Sequence, residues 1–320
     1  MDKFKYLIPE ESNDAASLDA SALRHIESDL RKVFENHGYE ELLLPTFEYV
    51  NLYDGLEANE ESMFQFLNHE GKRIALRTDF TVPIARLYNN ANTSSVRRYS
   101  YFGKVYRMQE RHKGRSSELF QGGVELIGQP GEKGDQECLS LIQESMKVLA
   151  LDDLKLELGS ARFFKRLVAL THDQSIVEIL DKKEISEMAH FVERNHIDGS
   201  LKELLLKLPQ SFGGIEEIQS VKALIDDEEL KQAIEELEKL YENALSKEDI
   251  VFDLCMVPSQ SYYTGVMMKG YSYHSAEPIL QGGRYDHLFD HFGSDIPAIG
   301  FSYHLNHVLN AYGKENEDND

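Results

Sequence analysis

The sequence predicts an α+β domain in which an antiparallel sheet is flanked by helices and interrupted by a helical block. Three observations lead there. Strand-like segments at 63–67, 72–77, 97–107 and 118–127 follow one another too closely for parallel crossovers, which need about a dozen residues or more. Residues 162–247 are rich in Leu, Glu and Lys at helical spacing, as in SLKELLLKLPQ, IEEIQSVKALI and ELKQAIEELEKLYENAL. Strand signals then return at 249–254, 262–270 and 276–281, so one sheet is split by an insertion.

Along the chain, 19–37 (DASALRHIESDLRKVFENH) sets Leu23, Ile26, Leu30, Val33, Phe34 and His37 at the spacing of one helical face, and Gly38 is a natural stop. YEELLLPTFEY follows as a short apolar strand ending at Pro45. After the four strand-like segments, 131–149 returns to helix and LKLELGSA (154–161) reads as strand. Beyond the insertion and its three following strands come a Gly-Gly turn at 282–283, a helix from about 285 and a last helix from about 303. The tail GKENEDND has nothing to bury and is expected to fray. The expected division is a core of 1–161 and 248–312, a helical insertion at 162–247 and an acidic flexible tail at 313–320.

Composition narrows the function. The 320 residues are 41% hydrophobic and include 16 Phe and 16 Tyr, enough apolar surface for a large core rather than a disordered chain. With 34 basic and 56 acidic residues the net charge is −22, which argues against a broad nucleic-acid face, because such binding is driven by phosphate neutralisation. No apolar run approaches the roughly 18 residues of a membrane span, and the start MDKFKYLIPEES lacks a secretory apolar stretch. A cytoplasmic protein is expected. Cys138 and Cys255 are far apart, without CxxC spacing, and read as buried small apolar residues rather than a disulfide or thiolate metal site.

Against this acidic balance, Arg107, Arg111, His112, Lys113 and Arg115 gather in and beside the loop between two predicted strands. A hairpin presenting guanidinium groups can bind phosphate or carboxylate bidentately. It can equally be a solvated tip balanced by nearby acids. Neither GxxxxGK[ST] nor a strand-linked GxGxxG is present, which removes two common phosphate cradles. His287 and His291 in DHLFDHFG have the i, i+4 spacing of zinc ligands but lack the Glu of HExxH, so a helix surface is preferred and no metal is expected. His304 and His307 read likewise as helix residues. No GxSxG elbow supports covalent catalysis. LRTDFT (76–81) and SYYTG (261–265) put polar groups at strand ends, and alternation along 118–127 sets Gln121, Gly123 and Glu125 on one face. Together they suggest the polar floor of a pocket for a small charged ligand.

These motifs resemble a family. VYRMQERHKGRSSELFQGGVE is similar to the second signature of class II aminoacyl-tRNA synthetases in the form found in histidyl-tRNA synthetase. SYYTG resembles that family's histidine-specific signature, GGRYDHLF its GGRYD turn, and LLLPTFE the first signature, whose proline lies at a dimer interface. The resemblance covers residues 1–312 and implies a class II synthetase-like antiparallel sheet. By it, Asp79 and Thr81 stand where the family binds the α-amino group, Arg107 and Gln121 near the amino acid's backbone, Glu125 and Tyr263 near the imidazole, and Tyr262 and Tyr285 as further lining. Strand alternation would send Tyr262 and Tyr263 to opposite faces without a local twist, which favours Tyr263.

The departures carry as much. Where the family has an arginine and an aspartate in RGLDYYTG, this chain reads PSQSYYTG, with Pro258 and Ser261 in their places. Where it has a GLER-like run, the chain reads HLNH, so Asn306 and His307 replace a glutamate and a nucleotide-binding arginine; Gln109 replaces a further glutamate. Removing one such electrostatic group typically costs on the order of 10² to 10³ in rate, so amino-acid activation is expected to be lost. The chain ends near 320, where a synthetase would continue into an anticodon-binding domain, so no tRNA partner is expected. A histidine pocket without activation chemistry is similar to the regulatory subunits of ATP phosphoribosyltransferase, paralogues of the synthetase. That resemblance implies a noncatalytic chain without cofactor, a homodimeric core within a hetero-octamer-like assembly, a short-form catalytic subunit as partner and L-histidine as effector. Arg107 and Arg115 remain possible anion contacts.

Overall fold

The structure, a computed structural model, describes residues 17–56, 62–91, 93–108 and 116–312. Gln109, Arg111, His112, Lys113 and Arg115 of the basic loop, and the acidic tail, lie outside the described residues. Helix α1 (Ser17–Asn36) buries Ile26, Leu30, Val33 and Phe34, the stripe its spacing predicts, and ends before Gly38. The expected strand up to Pro45 forms differently. Only β1 (Glu40–Glu41) pairs, parallel to β5 (Arg97–Tyr106), and the chain then leaves the sheet. Pro45 has no N–H to give a ladder, and Leu43 is 90% exposed. The next strand, β2 (Phe47–Tyr49), instead joins β3 (Gln65–Leu67) and β4 (Arg73–Leu76) in a small three-stranded sheet.

Among the described residues the main sheet has nine strands, ordered β1-β5-β6-β12-β11-β10-β7-β9-β8. The ladders linking β5, β6 (Glu118–Ile127), β12 (Ala298–His304), β11 (Leu280–Arg284), β10 (Val266–Tyr271) and β7 (Lys155–Ser160) are antiparallel, as the close spacing of the early strands requires. β9 (Ile250–Asp253) runs parallel to β7 because the whole helical block serves as the crossover between them. That block holds α4 (Ala161–Thr171), α5 (Ile176–Lys182), α6 (Ile185–Arg194), α7 (Gly199–Lys207), α8 (Ile215–Lys222) and α9 (Glu228–Glu242), with the two-residue β8 (Phe212–Gly213) at the sheet edge.

Several expectations are corrected. β12 lies at the centre of the sheet where the sequence suggested only a run-up to a helix; all seven of its residues are buried, so no alternation marks it, and His304 belongs to this strand. The helix that follows, α10 (Leu305–Tyr312), starts two residues later than expected. Gly282 and Gly283 are inside β11 and form no turn. A Cβ on Gly282 would sit 2.5 Å from that of Phe301, so glycine serves the close approach of β12. The expected helix from 285 is a 3-10 helix, Asp286–Phe292. A further helix, α2 (Thr81–Asn90), went unrecognised; its Pro83 is harmless because first-turn N–H groups have no helical partner.

Helices α1, α3 (Gly131–Val148) and α10 cover one face of the sheet, with Phe34, Leu126, Leu139, Ile142 and Phe301 in their common core. α2, the 3-10 helix and the small sheet cover part of the other face through Phe80, Ile84, Tyr88, Tyr101 and Phe289. Both cysteines are buried, and burial pushes the Cys255 thiol up to about 12. Among the described residues no helix is long and apolar enough to cross a membrane.

Candidate functional site

A cavity opens on the second face of the sheet, and all eight residues expected to hold an amino acid line it. Asp79 and Thr81 arrive at the junction of β4 and α2, and Arg107 follows the last residue of β5. Gln121 and Glu125 project from β6 on the face that alternation predicted, being 3% and 1% exposed. Tyr262 and Tyr263 come from the loop before β10, and Tyr285 follows β11. Because β10 begins at Val266, the two adjacent tyrosines are free of strand alternation and both face the cavity, their rings 5.8 Å apart and edge-on. The preference for Tyr263 over Tyr262 is therefore corrected. About 50 Å³ is free inside, more than the roughly 15 Å³ that one water needs.

Glu125 is the most constrained of these groups. Thr81 donates to its Oε1 at 2.6 Å, and the Tyr285 hydroxyl donates to its Oε2. Burial pushes its carboxyl up to about 8 against the pull of those two bonds, and Asp79 adds to the rise. A Cβ on Gly300 would lie 1.9 Å from Glu125 Oε2, so only glycine fits opposite this carboxylate. Asp79 is also raised, by burial first; the Val82 N–H at 2.8 Å, Arg107 and the Thr78 hydroxyl at 3.0 Å oppose that rise. The Asp79 contact to the first turn of α2 places a carboxylate where the helix dipole favours negative charge. Arg107 Nε donates to the carbonyl of Thr78 at 2.8 Å, which seats the guanidinium beside Asp79. Among the described lining residues Arg107 is the one basic group, set against two carboxylates. This arrangement suits a small ligand carrying two basic groups and one acidic group.

Sequence reasoning missed Phe80, Tyr101, Ser259, Gln260, Gln281, Gly300 and Ser302 in the lining. Tyr101 had a readable signal, since it alternates inward on β5 and pairs with Gly123. Gly300 and Ser302 had none without β12. At the positions of the departures, side chains serve local bonds. Asn306 Oδ1 accepts from the Phe120 N–H at 3.3 Å, and His307 Nδ1 lies 3.2 Å from the Pro278 carbonyl. His304 is buried, its Nδ1 has no partner among the described residues, and burial with Arg107 and His307 lowers it to about 3. His287 sits 3.0 Å from Asp290 while His291 meets the Leu52 carbonyl at 3.2 Å, so the two imidazoles have separate partners. Among the described residues no group of three or more potential metal ligands converges.

Comparison with known proteins fits this geometry. The Histidyl-tRNA synthetase family matches residues 12–308. An ATP phosphoribosyltransferase regulatory subunit from Lactococcus lactis subsp. lactis is 40% identical over 329 residues, spanning 100% of both chains. Another from Bacillus cereus strain G9842 is 30% identical over 99% of this chain and 78% of its own. A solved structure described as an ATP phosphoribosyltransferase regulatory subunit/histidyl-tRNA synthetase from Bacillus halodurans superposes with a TM-score of 0.88 at 27% identity, covering 98% of this chain and 85% of that one. The chain has the histidyl-tRNA synthetase fold and belongs to the family of ATP phosphoribosyltransferase regulatory subunits.

Proposed function

We propose that this chain is a noncatalytic, cytoplasmic subunit that binds L-histidine in the β6–β12 cavity. In the first step of histidine biosynthesis it is required for activity of the short-form catalytic subunit and confers inhibition by histidine. The observation that carries the reading is a contrast between the residues of the cavity and two positions outside its lining. Eight residues suited to an amino acid converge on the cavity, while Pro258 and His307 stand where the synthetase resemblance places arginines. L-Histidine matches the lining by charge, with an α-amino group for Asp79, a carboxylate for Arg107 and Gln121, and an imidazole for Glu125. Nucleotide handling lacks support, because Asn306 and His307 are engaged with Phe120 and Pro278.

We further propose that 162–247 is an insertion into a core of 1–161 and 248–312, and that the core dimerises through the small sheet before assembling with the catalytic subunit. Phe47, Tyr49 and Phe66 are 53%, 51% and 42% exposed on one face of that sheet, an apolar patch of the kind that marks an interface. The test is ATP phosphoribosyltransferase activity of the catalytic subunit with and without this chain, titrated with L-histidine. Activity should require the chain, and inhibition should shift to higher histidine with Asp79→Ala. An activity indifferent to the chain removes the proposal. Histidine-dependent exchange of pyrophosphate into ATP by the purified chain would instead establish a histidine-activating enzyme.

A further inference from the structure

The loop that delivers Tyr262 and Tyr263 to the cavity is held from outside the core. Lys165 of α4 donates to the carbonyl oxygens of Ser261 at 2.7 Å and of Tyr263 at 2.6 Å. These carbonyls belong to the peptide before Tyr262 and the peptide after Tyr263, so one ammonium fixes the planes on either side of the tyrosine pair and with them the directions of both rings. Charge-assisted bonds of this kind are stronger than neutral ones. The C-terminal end of the loop is tied separately to the sheet, where the Thr264 N–H donates to the Arg284 carbonyl at 2.8 Å. Ser261 itself is exposed.

The same helix is fastened on its other side to α9. Arg166, the next residue, forks onto Asp227 with Nε at 3.1 Å and a terminal nitrogen at 2.5 Å from Oδ2. Asp227 in turn caps α9, accepting the N–H groups of Glu229 and Leu230 at 3.0 Å each. One turn back, Arg162 reaches Glu236 and Gln232 at 2.8 Å. Helix α4 is thus a short bar with the ligand loop at one side and the start of α9 at the other.

We propose that Lys165 is a positioning residue of the cavity, fixing the Tyr262–Tyr263 loop against α4 so that filling of the cavity is felt at the N-terminus of α9. This rests on the histidine-site reading above. Lys165→Met and Lys165→Arg are compared with wild type in the full chain, by calorimetry with L-histidine and by amide hydrogen exchange of residues 228–231 with and without saturating histidine. Lys165→Met should lose roughly tenfold in affinity, because binding must then order a loop that Lys165 no longer holds, while the melting temperature in the absence of ligand falls only slightly, since bonds from an exposed ammonium add little net stability. Lys165→Arg, which keeps a cationic donor, should recover most of the affinity. Histidine should slow exchange at 228–231 in wild type but not in Lys165→Met. Equal affinity in Lys165→Met and wild type, or slowing that is equal in both or absent in wild type, overturns the inference while leaving the histidine site standing. Failure of wild type to bind histidine removes both.

Discussion

At the scale of single residues, Glu125 concentrates the physics of the site. It is buried against Thr81, Tyr285 and Gly300, and its folded value of about 8 lies above the 4.5 of an ordinary glutamate. The folded chain therefore holds this proton longer than the unfolded one, and stability of the ligand-free chain falls as pH rises from about 4.5 through about 8. Glu125→Gln should flatten that part of the stability–pH curve, measured by urea unfolding at several pH values. Gly300→Ala presses a methyl into the space of Glu125 Oε2 and should cost about 1–3 kcal/mol, with loss of histidine binding. Unfolding and calorimetry on that variant check both. Glu125 and Gln121 were legible in the sequence because period-two alternation on a strand fixes a face. Ser259 and Gln260 were not, since a loop has no period, and His304 was misread because its strand lacks alternation.

At the scale of elements, what was legible follows from periodicity and what was not follows from burial. α1, β5, β6, α3 and the helical block have apolar residues at a clear spacing, and they form close to the expected bounds. β12 is buried on both faces and so reads as a featureless apolar run, while the glycine pair of β11 mimics a turn when its purpose is close packing. β10 starts four residues later than its composition suggests, and that delay creates the loop on which the tyrosines turn inward. Loop and insertion meet at α4, and α9 depends on its cap. Asp227→Ala should cost about 0.5–2 kcal/mol in unfolding free energy through the loss of two capped N–H groups, with added loss from Arg166. A urea midpoint equal to that of wild type would contradict the capping role.

At the scale of the whole molecule, a sheet built for an amino-acid site carries an apolar patch on its small companion sheet, where Phe47 and Phe66 pack edge-on at 5.5 Å. If that patch joins two copies, Phe47→Glu combined with Phe66→Glu should yield monomers in sedimentation velocity at concentrations where wild type is dimeric. A net charge of −22 is compatible with protein partners and a small-molecule effector, and disfavours a polyanion. The core of the proposal is that this cavity recognises histidine. Calorimetric titration of the purified chain with L-histidine tests it most directly, run beside Glu125→Gln. The expected result is saturable binding of one histidine per chain that falls by tenfold or more in the variant, as when one partner of a buried polar contact is lost. Absence of binding by wild type, or equal binding by both proteins, would contradict it.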